Sequence, residues 1–133
     1  MADKKQTPRR MRSWLFAPGD SAKKMAKAIA SEADIALLDL EDSVTPDNKP
    51  AARLAVGEAL CAAEQRTRVW VRINPLSGSD AVRDLAAIMP ARPGGVFLPK
   101  AEGAHHVTEL HHYLTPLEAA KGVEPGATRF AAL

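Results

Sequence analysis

The feature that most constrains the fold is a strict alternation of short apolar runs with segments of helical periodicity. Five runs read as strands, at residues 13–17, 35–41, 69–74, 95–100 and 129–133. Between them, apolar residues recur at i, i+3 and i+4, as in Ala22, Met25, Ala26, Ile29 and Ala30. Strand and helix in alternation predict a parallel sheet with helical crossovers.

The spacing of the runs indicates which parallel architecture is present. The first four runs end near residues 17, 41, 74 and 100, so each βα unit takes roughly 24 to 33 residues. That spacing suits a (β/α)₈ TIM barrel of about 250 residues. We expect residues 12–133 to hold about the first four βα units and the start of strand five. A small open α/β sheet is the alternative, and periodicity alone does not separate the two.

Charge is concentrated at the amino terminus. Five of the 18 basic residues fall in the first twelve positions: Lys4, Lys5, Arg9, Arg10 and Arg12. We expect residues 1–11 to form a solvated, disordered arm, with a polyanion-binding arm as the alternative. The chain has neither a signal-peptide core nor an apolar window long enough to span a bilayer. We therefore expect a cytoplasmic protein without membrane or nucleic-acid partners, although the Arg-rich start leaves organelle import open.

Polar residues collect where the predicted strands end. They are Pro18-Gly19-Asp20, Glu41-Asp42, Arg72 with Asn74, and Lys100 with Glu102. In parallel α/β folds the carboxyl ends of the strands form the rim where ligands bind. These side chains are therefore expected to converge on one rim.

The stretch LLDLEDSV at residues 37–44 brings three carboxylates to that rim. Because side chains alternate along a strand, Asp39 and Glu41 share a face while Asp42 begins the turn. A buried carboxylate needs a cation or hydrogen-bond donors, which Arg72 and Lys100 could supply. A structural ion-pair network and a site for a polyanionic substrate or a metal both fit this pattern.

Cysteine and histidine give weaker signals. Cys61 is the single cysteine, and its Ala-rich helical surroundings predict a buried, unreactive side chain. Four histidines, at 105, 106, 111 and 112, resemble a metal cluster. Their spacings of five and seven residues are poor for one shared ion on a helix. We expect them to lie on a solvated helix face.

Four motifs carry a resemblance to a known family. They are RSWLFAPG at 12–19, DLEDSV at 39–44 followed by Pro46, Lys49 and Ala52-Arg53, VRINP at 71–75, and LPKAE at 98–102. In this order and spacing they resemble the N-terminal half of the citrate lyase beta-subunit-like family, within the HpcH/HpaI aldolase superfamily and related to the malyl-CoA lyases. Ala17 and Ser43 stand where Val and Ala are usual in that family.

The resemblance implies a TIM-barrel, Mg²⁺-dependent carbon–carbon lyase of the citryl-CoA or malyl-CoA type. Such an enzyme cleaves a 3-hydroxyacyl-CoA thioester to an acyl-CoA and an oxo acid, or runs the reverse reaction. Its partners would be a CoA thioester and a small oxo or hydroxy acid, and it would assemble as a homo-oligomer, a trimer or hexamer. A hard divalent cation would chelate the acid through oxygen and polarise its carbonyl.

The resemblance also implies roles for individual residues. Arg72 would be catalytic by opposing the charge of an enolate oxygen. Glu41 and Asp42 would be catalytic beside the metal, through a metal-bound water or the reacting proton. The substrate-binding residues would be Arg72, Phe16, Pro18, Gly19, Lys24, Asn74 and Lys100. Of these, Phe16 and the Pro18-Gly19 turn would lie near the CoA arm, and Lys24 would meet a phosphate.

The family's direct metal ligands are a Glu after the fifth strand and an Asp after the sixth. The resemblance therefore implies no direct metal ligand up to Leu133, and little or no lyase activity for these 133 residues alone. Two alternatives stay open. One is an acyl-CoA thioesterase or a free hydroxy-oxo-acid aldolase on the same fold, and the other is a non-catalytic binding or assembly subunit.

Overall fold

The computed structural model of the chain describes residues 10–133, so most of the predicted basic arm lies outside the described residues. The strands are β1 Trp14–Pro18, β2 Ile35–Asp39, β3 Val69–Arg72, β4 Gly95–Leu98 and β5 Phe130–Ala132. The helices are α1 Ala22–Ile29, α2 Lys49–Ala62, α3 Asp80–Ile88 and α4 Ala104–Ala120. Of the described helices, none has the length and apolar character needed to cross a lipid bilayer.

The five strands form one parallel sheet in the order β1-β2-β3-β4-β5. A doubly wound sheet reverses its strand order at a switch point, and this order does not reverse. Sequential parallel strands joined by right-handed crossovers put every connecting helix on the same face. The arrangement is that of an arc of a β/α barrel, as the strand spacing predicted.

The two faces of the sheet are packed differently. On the outer face, buried residues from all four helices join outward strand residues in one core, with members that include Met25, Val56, Leu85, Leu110 and Val71. The inner face carries a smaller cluster of Ile35, Leu37 and Trp70, with Trp14 and Phe97 packed against it. The Trp14 ring meets those of Trp70 and Phe97 edge-on, at 5.1 and 6.0 Å between centroids. No helix residue in the described part of the chain belongs to this inner cluster.

The strand register aligns a row of residues across the carboxyl end of the inner face. The row consists of Pro18, Asp39, Arg72, Phe97 and Ala131 as successive partners. Because paired residues in a parallel sheet point the same way, the side chains of Asp39 and Arg72 lie next to each other. Of the three acids at positions 39, 41 and 42, the register therefore places Asp39 directly beside Arg72 in the sheet.

Three expectations about local structure are wrong. Strands β2, β3 and β4 end at Asp39, Arg72 and Leu98, two residues before the predicted ends at 41, 74 and 100. The chain leaves β2 early because the Asp39 carboxylate accepts the amide hydrogens of the turn that follows. In α1, Ala22, Ala26 and Ala30 of the predicted apolar stripe are exposed, and Met25 and Ala28 are the buried residues. Cys61 is exposed because it lies beside the buried row of α2 that Leu60 ends.

Gly95 tests the packing of the inner face. A Cβ at this position would lie 2.5 Å from ring atoms of Trp70, which is its register partner. Gly95→Ala should therefore displace the buried indole and lower the free energy of unfolding by about 1–3 kcal/mol. Gly57→Ala is the matched control, because its Cβ would meet nothing closer than 3.7 Å and alanine favours the interior of α2. Denaturant unfolding followed by tryptophan fluorescence checks both variants, and equal stability of the two would contradict the packing described.

Candidate active site at the carboxyl rim of the sheet

The centre of the site is a bidentate ion pair between Asp39 and Arg72. Arg72 donates from Nε to Oδ1 of Asp39 at 2.7 Å and from Nη2 to Oδ2 at 2.9 Å. Asp39 is buried, with 1 % of its surface exposed, at the end of a strand that is buried throughout. A buried carboxylate without such a partner would be strongly destabilising, so the pair explains how β2 can end in an acid.

Asp39 is also the acceptor for the turn that follows β2. Its oxygens accept the backbone N–H groups of Glu41 at 2.9 Å and Ser43 at 3.0 Å, and the Ser43 hydroxyl at 2.5 Å. Burial alone would raise the pKa of Asp39, but the hydrogen bonds from Arg72, the Ser43 hydroxyl and the two amides lower it to about 2. The carboxyl group is therefore ionised throughout the physiological pH range.

Phe16 holds the other side of the Arg72 guanidinium. The Cζ atom of Arg72 lies 4.7 Å from the centroid of the Phe16 ring, a cation–π contact. The hydrogen bonds from Arg72 to Asp39 raise the pKa of the guanidinium further, so it remains a cation. Asp39 accepts from two of the five guanidinium N–H groups, and the other three make no hydrogen bond to a described residue.

Glu41 and Lys100 complete the convergence that the sequence predicted. Oε1 of Glu41 lies 3.4 Å from Nη1 of Arg72, and Oε2 lies 3.0 Å from Nζ of Lys100. Glu41 is buried, yet Oε2 makes its ion pair without hydrogen-bond geometry and has no other partner among the described residues. Asp42 is mostly exposed and lies 3.5 Å from the same Lys100 ammonium. Among the described residues, the Lys100 ammonium alone balances the charge on Oε2 of Glu41.

Lys100 reaches this position through an unusual backbone conformation. Its φ is +53°, in the left-handed region that residues other than glycine seldom adopt. Such a conformation costs of the order of 1 kcal/mol, and it persists where surrounding structure imposes it. The close contact with Glu41, together with the negative charges of Glu41 and Asp42, raises the pKa of the Lys100 ammonium. The Lys100 ammonium thus lies beside the turn of residues 40–44 that carries Glu41 and Asp42, here named the acidic turn.

The other predicted substrate-binding residues occupy different surroundings. Pro18 is half-buried in the same row as Asp39, and the Gly19 N–H donates to the Asp39 carbonyl at 2.8 Å. A Cβ on Gly19 would lie 2.6 Å from that carbonyl oxygen, so the turn requires glycine for close packing. Lys24 is exposed in the first turn of α1 and makes no ion pair in the described part of the chain.

Asn74 is buried behind the rim, in a polar network that the sequence did not predict. Its Nδ2 donates to the Leu40 carbonyl at 2.8 Å and to Oδ2 of Asp84 at 2.7 Å, and its Oδ1 accepts from Lys49 at 2.7 Å. Arg53 in turn pairs with Oδ1 of Asp84 at 2.7 Å. The side-chain amide of Asn74 therefore makes all its hydrogen bonds within the protein. Its predicted contact with substrate stays a prediction.

Two sequence signals could have revealed this network. Asp84 falls among Ala81, Leu85 and Ile88, on the buried stripe of α3, where an unpaired acid would be costly. Lys49 is a cation at the start of α2, where the helix dipole disfavours positive charge. A buried acid and a cation at a helix start are each unfavourable locally. In this fold both side chains are stabilised by hydrogen bonds to Asn74 at the carboxyl rim.

The donor set at the rim has the chemistry of a magnesium site but not a full set of ligands. Glu41 and Asp42 supply hard carboxylate oxygens, one of which lacks a hydrogen bond. In residues 10–133, the one group of three acidic or histidine side chains close enough to share an ion is instead formed by Glu102, His105 and His106. There, Nδ1 of His106 already accepts the Glu102 N–H at 3.1 Å, which removes one imidazole nitrogen from metal binding.

The lowered pKa of Asp39 predicts how stability depends on pH. Its folded pKa of about 2 is below the ordinary value of 3.8, so its contribution is complete above pH 4 and is lost as pH falls through 2. We expect Asp39→Asn to lower the free energy of unfolding by about 2 kcal/mol at pH 7 and to flatten its decline between pH 4 and 2. Urea unfolding across this range measures both effects, with the exposed Asp47→Asn as control. A decline as steep in Asp39→Asn as in the unsubstituted protein would contradict the prediction.

Comparisons with known proteins find relatives over most of the chain. Over 122 residues the chain is 35% identical to citrate lyase subunit beta of Haemophilus influenzae, covering 91% of this chain and 42% of that protein. It is 36% identical over 115 residues to the L-malyl-CoA/beta-methylmalyl-CoA lyase of Cereibacter sphaeroides, covering 84% of this chain and 36% of the relative.

A solved structure is similar over the same part of the chain. CitE from Mycobacterium tuberculosis, in complex with magnesium, acetoacetate and coenzyme A, superposes with a TM-score of 0.67 at 35% identity. The match covers 92% of this chain and 40% of that one, and this chain likewise spans about two fifths of the curated relatives' length. The model of the HpcH/HpaI aldolase/citrate lyase family matches residues 12–133. The chain belongs to the HpcH/HpaI aldolase/citrate lyase family.

Proposed function

We propose that residues 12–133 form the amino-terminal half of a lyase that cleaves a 3-hydroxyacyl-CoA thioester of the citryl-CoA or malyl-CoA type, or catalyses its formation. The observation that carries the proposal is the orientation of Arg72. It is held by Asp39 on one side and Phe16 on the other, and its remaining N–H groups make no hydrogen bond to a described residue. The activity is proposed for a protein with the full length of its relatives, and the 133 residues alone are expected to have little or none.

Cleavage of the bond between C2 and C3 of the 3-hydroxyacyl group leaves an enolate of the acyl-CoA. The negative charge of that enolate develops on the thioester oxygen. A guanidinium fixed in advance stabilises such a charge without reorganising during the reaction. Arg72 fits this role because Asp39 uses only Nε and one hydrogen of Nη2. We assign Arg72 to the enolate oxygen or to the carboxylate of the oxo acid.

The acidic residues have a different role in the proposal. Glu41 and Asp42 would hold water on a magnesium ion or handle the reacting proton. When bound, magnesium would polarise the carbonyl of the oxo acid. Lys100 lies 3.0 Å from a carboxylate oxygen of Glu41 and 3.5 Å from one of Asp42, so its charge opposes both acids.

The remaining predicted contacts are proposed for the CoA side of the site. Phe16 is half exposed beside Arg72 and would offer an apolar ring to a ligand. Pro18 and Gly19 shape the neighbouring turn, and Lys24 would meet a phosphate. We also propose a cytoplasmic homo-oligomer, in line with the family resemblance.

Arg72→Lys tests the proposal in the full-length protein. Lysine keeps a cation beside Asp39, so the fold should survive, but it loses the planar bidentate geometry. We expect kcat for cleavage of malyl-CoA or citryl-CoA to fall about 100-fold. The control is Arg83→Lys, an exposed position on α3. Unchanged turnover in Arg72→Lys would remove the role assigned to Arg72.

The same assay separates the alternatives. A thioesterase would release free CoA without forming an oxo acid, and a free-acid aldolase would cleave its substrate without CoA. A binding or assembly subunit would turn over none of these substrates. Formation of acyl-CoA and oxo acid in equal amounts is the result that we expect.

A further inference from the structure

Lys49 occupies a position that helix electrostatics disfavours. It is the first residue of α2, where the exposed N–H groups give the helix end a partial positive charge. The first turn of α2 contains no acidic residue, and the nearest preceding acid, Asp47, lies in the short 3₁₀ turn Pro46–Asn48 that leads into the helix. The placement of a lysine here therefore requires an explanation outside the helix.

The Lys49 side chain turns back under the acidic turn. Its Nζ donates to the carbonyl oxygens of Leu40 at 2.8 Å and Glu41 at 3.1 Å, and to Oδ1 of Asn74 at 2.7 Å. These three acceptors use the full donor capacity of an ammonium group. None of them is a carboxylate, so the lysine binds main chain and amide where an ion pair would be usual.

Asn74 is itself held in place, which makes the contact rigid. Its backbone N–H and its Nδ2 both donate to Oδ2 of Asp84, at 2.8 and 2.7 Å. Asp84 is fully buried and is paired with Arg53 of α2 at 2.7 Å. A continuous set of hydrogen bonds therefore runs from α2 and α3 to the ends of β2 and β3.

The acidic turn is held from two directions. Asp39 accepts the amide hydrogens of Glu41 and Ser43, and Lys49 binds the carbonyl oxygens of Leu40 and Glu41. Asp39 is the residue that also orients Arg72. The main chain of Glu41 is thus coupled to the Arg72 guanidinium through the Asp39 carboxylate, which binds both.

We propose that Lys49 is a positioning residue, which fixes the main chain of residues 40–42 so that the Glu41 and Asp42 carboxylates keep their separation from Arg72. It makes no contact with the Glu41 or Asp42 carboxylates in the described part of the chain and acts only through the backbone and Asn74. Its consequence for catalysis rests on the proposed function. Its consequence for the backbone does not, so the two parts are tested separately.

Hydrogen exchange in the full-length protein tests the structural part. In Lys49→Met the backbone carbonyls lose their donor, and we expect the amides of residues 40–44 to exchange at least about tenfold faster. The matched control is Lys27→Met, an exposed lysine of α1 whose side chain makes no hydrogen bond to a described residue. Exchange in this segment that matches the control would overturn the proposal.

Kinetics test the catalytic part. A loss of position should lower kcat about 10- to 100-fold and leave KM for the thioester within about threefold, because the Lys49 ammonium is fully used by Leu40, Glu41 and Asn74. Lys49→Gln keeps an amide donor and should recover part of the lost kcat, and it also serves if Lys49→Met does not fold. A purely structural role would lower the unfolding temperature with kcat intact, and that result would overturn the positioning role.

The outcomes separate this inference from the function on which it rests. If Arg72→Lys loses turnover while both Lys49 variants keep it, the proposed function stands and the inference fails. If the unsubstituted protein cleaves none of the thioesters, the proposed function fails and hydrogen exchange alone decides whether Lys49 holds the turn.

Discussion

The rest of the rim depends on the burial of one carboxylate at the end of a parallel strand. Asp39 is ionised in a nearly dry position, which is tolerable only because Arg72 and three further donors surround it. Those same donors determine the shape of the site. Arg72 is oriented by its two bonds to Asp39, and the turn carrying Glu41 closes around the same oxygens. A single desolvated charge therefore links strand register to the arrangement of the candidate catalytic groups.

Neighbouring elements stabilise this arrangement from outside the inner face. Lys49 and Asn74 bind the carbonyl groups of the turn, and Lys100, two residues after β4, approaches its carboxylates in a strained backbone conformation. Each of these residues comes from a segment that follows or precedes a different strand. The rigidity of the rim is thus a property of the parallel arc as a whole. Preorganisation of this kind is what stabilisation of a developing oxyanion requires.

Much of this could be predicted from the sequence, because alternation and spacing report directly on a parallel β/α arrangement. The convergence of Glu41, Arg72 and Lys100 followed from the rule that strand carboxyl ends share one rim. The central role of Asp39 did not follow, since only the register between β2 and β3 selects it over Glu41 as the partner of Arg72. The sequence predicts Asn74 at the rim because it ends the predicted third strand, but β3 ends at Arg72, and beyond a strand end alternation no longer determines direction. The exposure of Cys61 likewise depends on which face of α2 packs inward.

A double-mutant cycle on Asp39 and Arg72 tests the central claim most directly. The free energies of unfolding of Asp39→Ala, Arg72→Ala and the double variant would be measured at pH 7 against the unsubstituted protein. Because each side chain satisfies the other in a buried position, the account predicts a coupling energy of about 2 kcal/mol. Single substitutions whose effects add to within about 0.3 kcal/mol would contradict it, because Arg72 would then be held independently of the carboxylate.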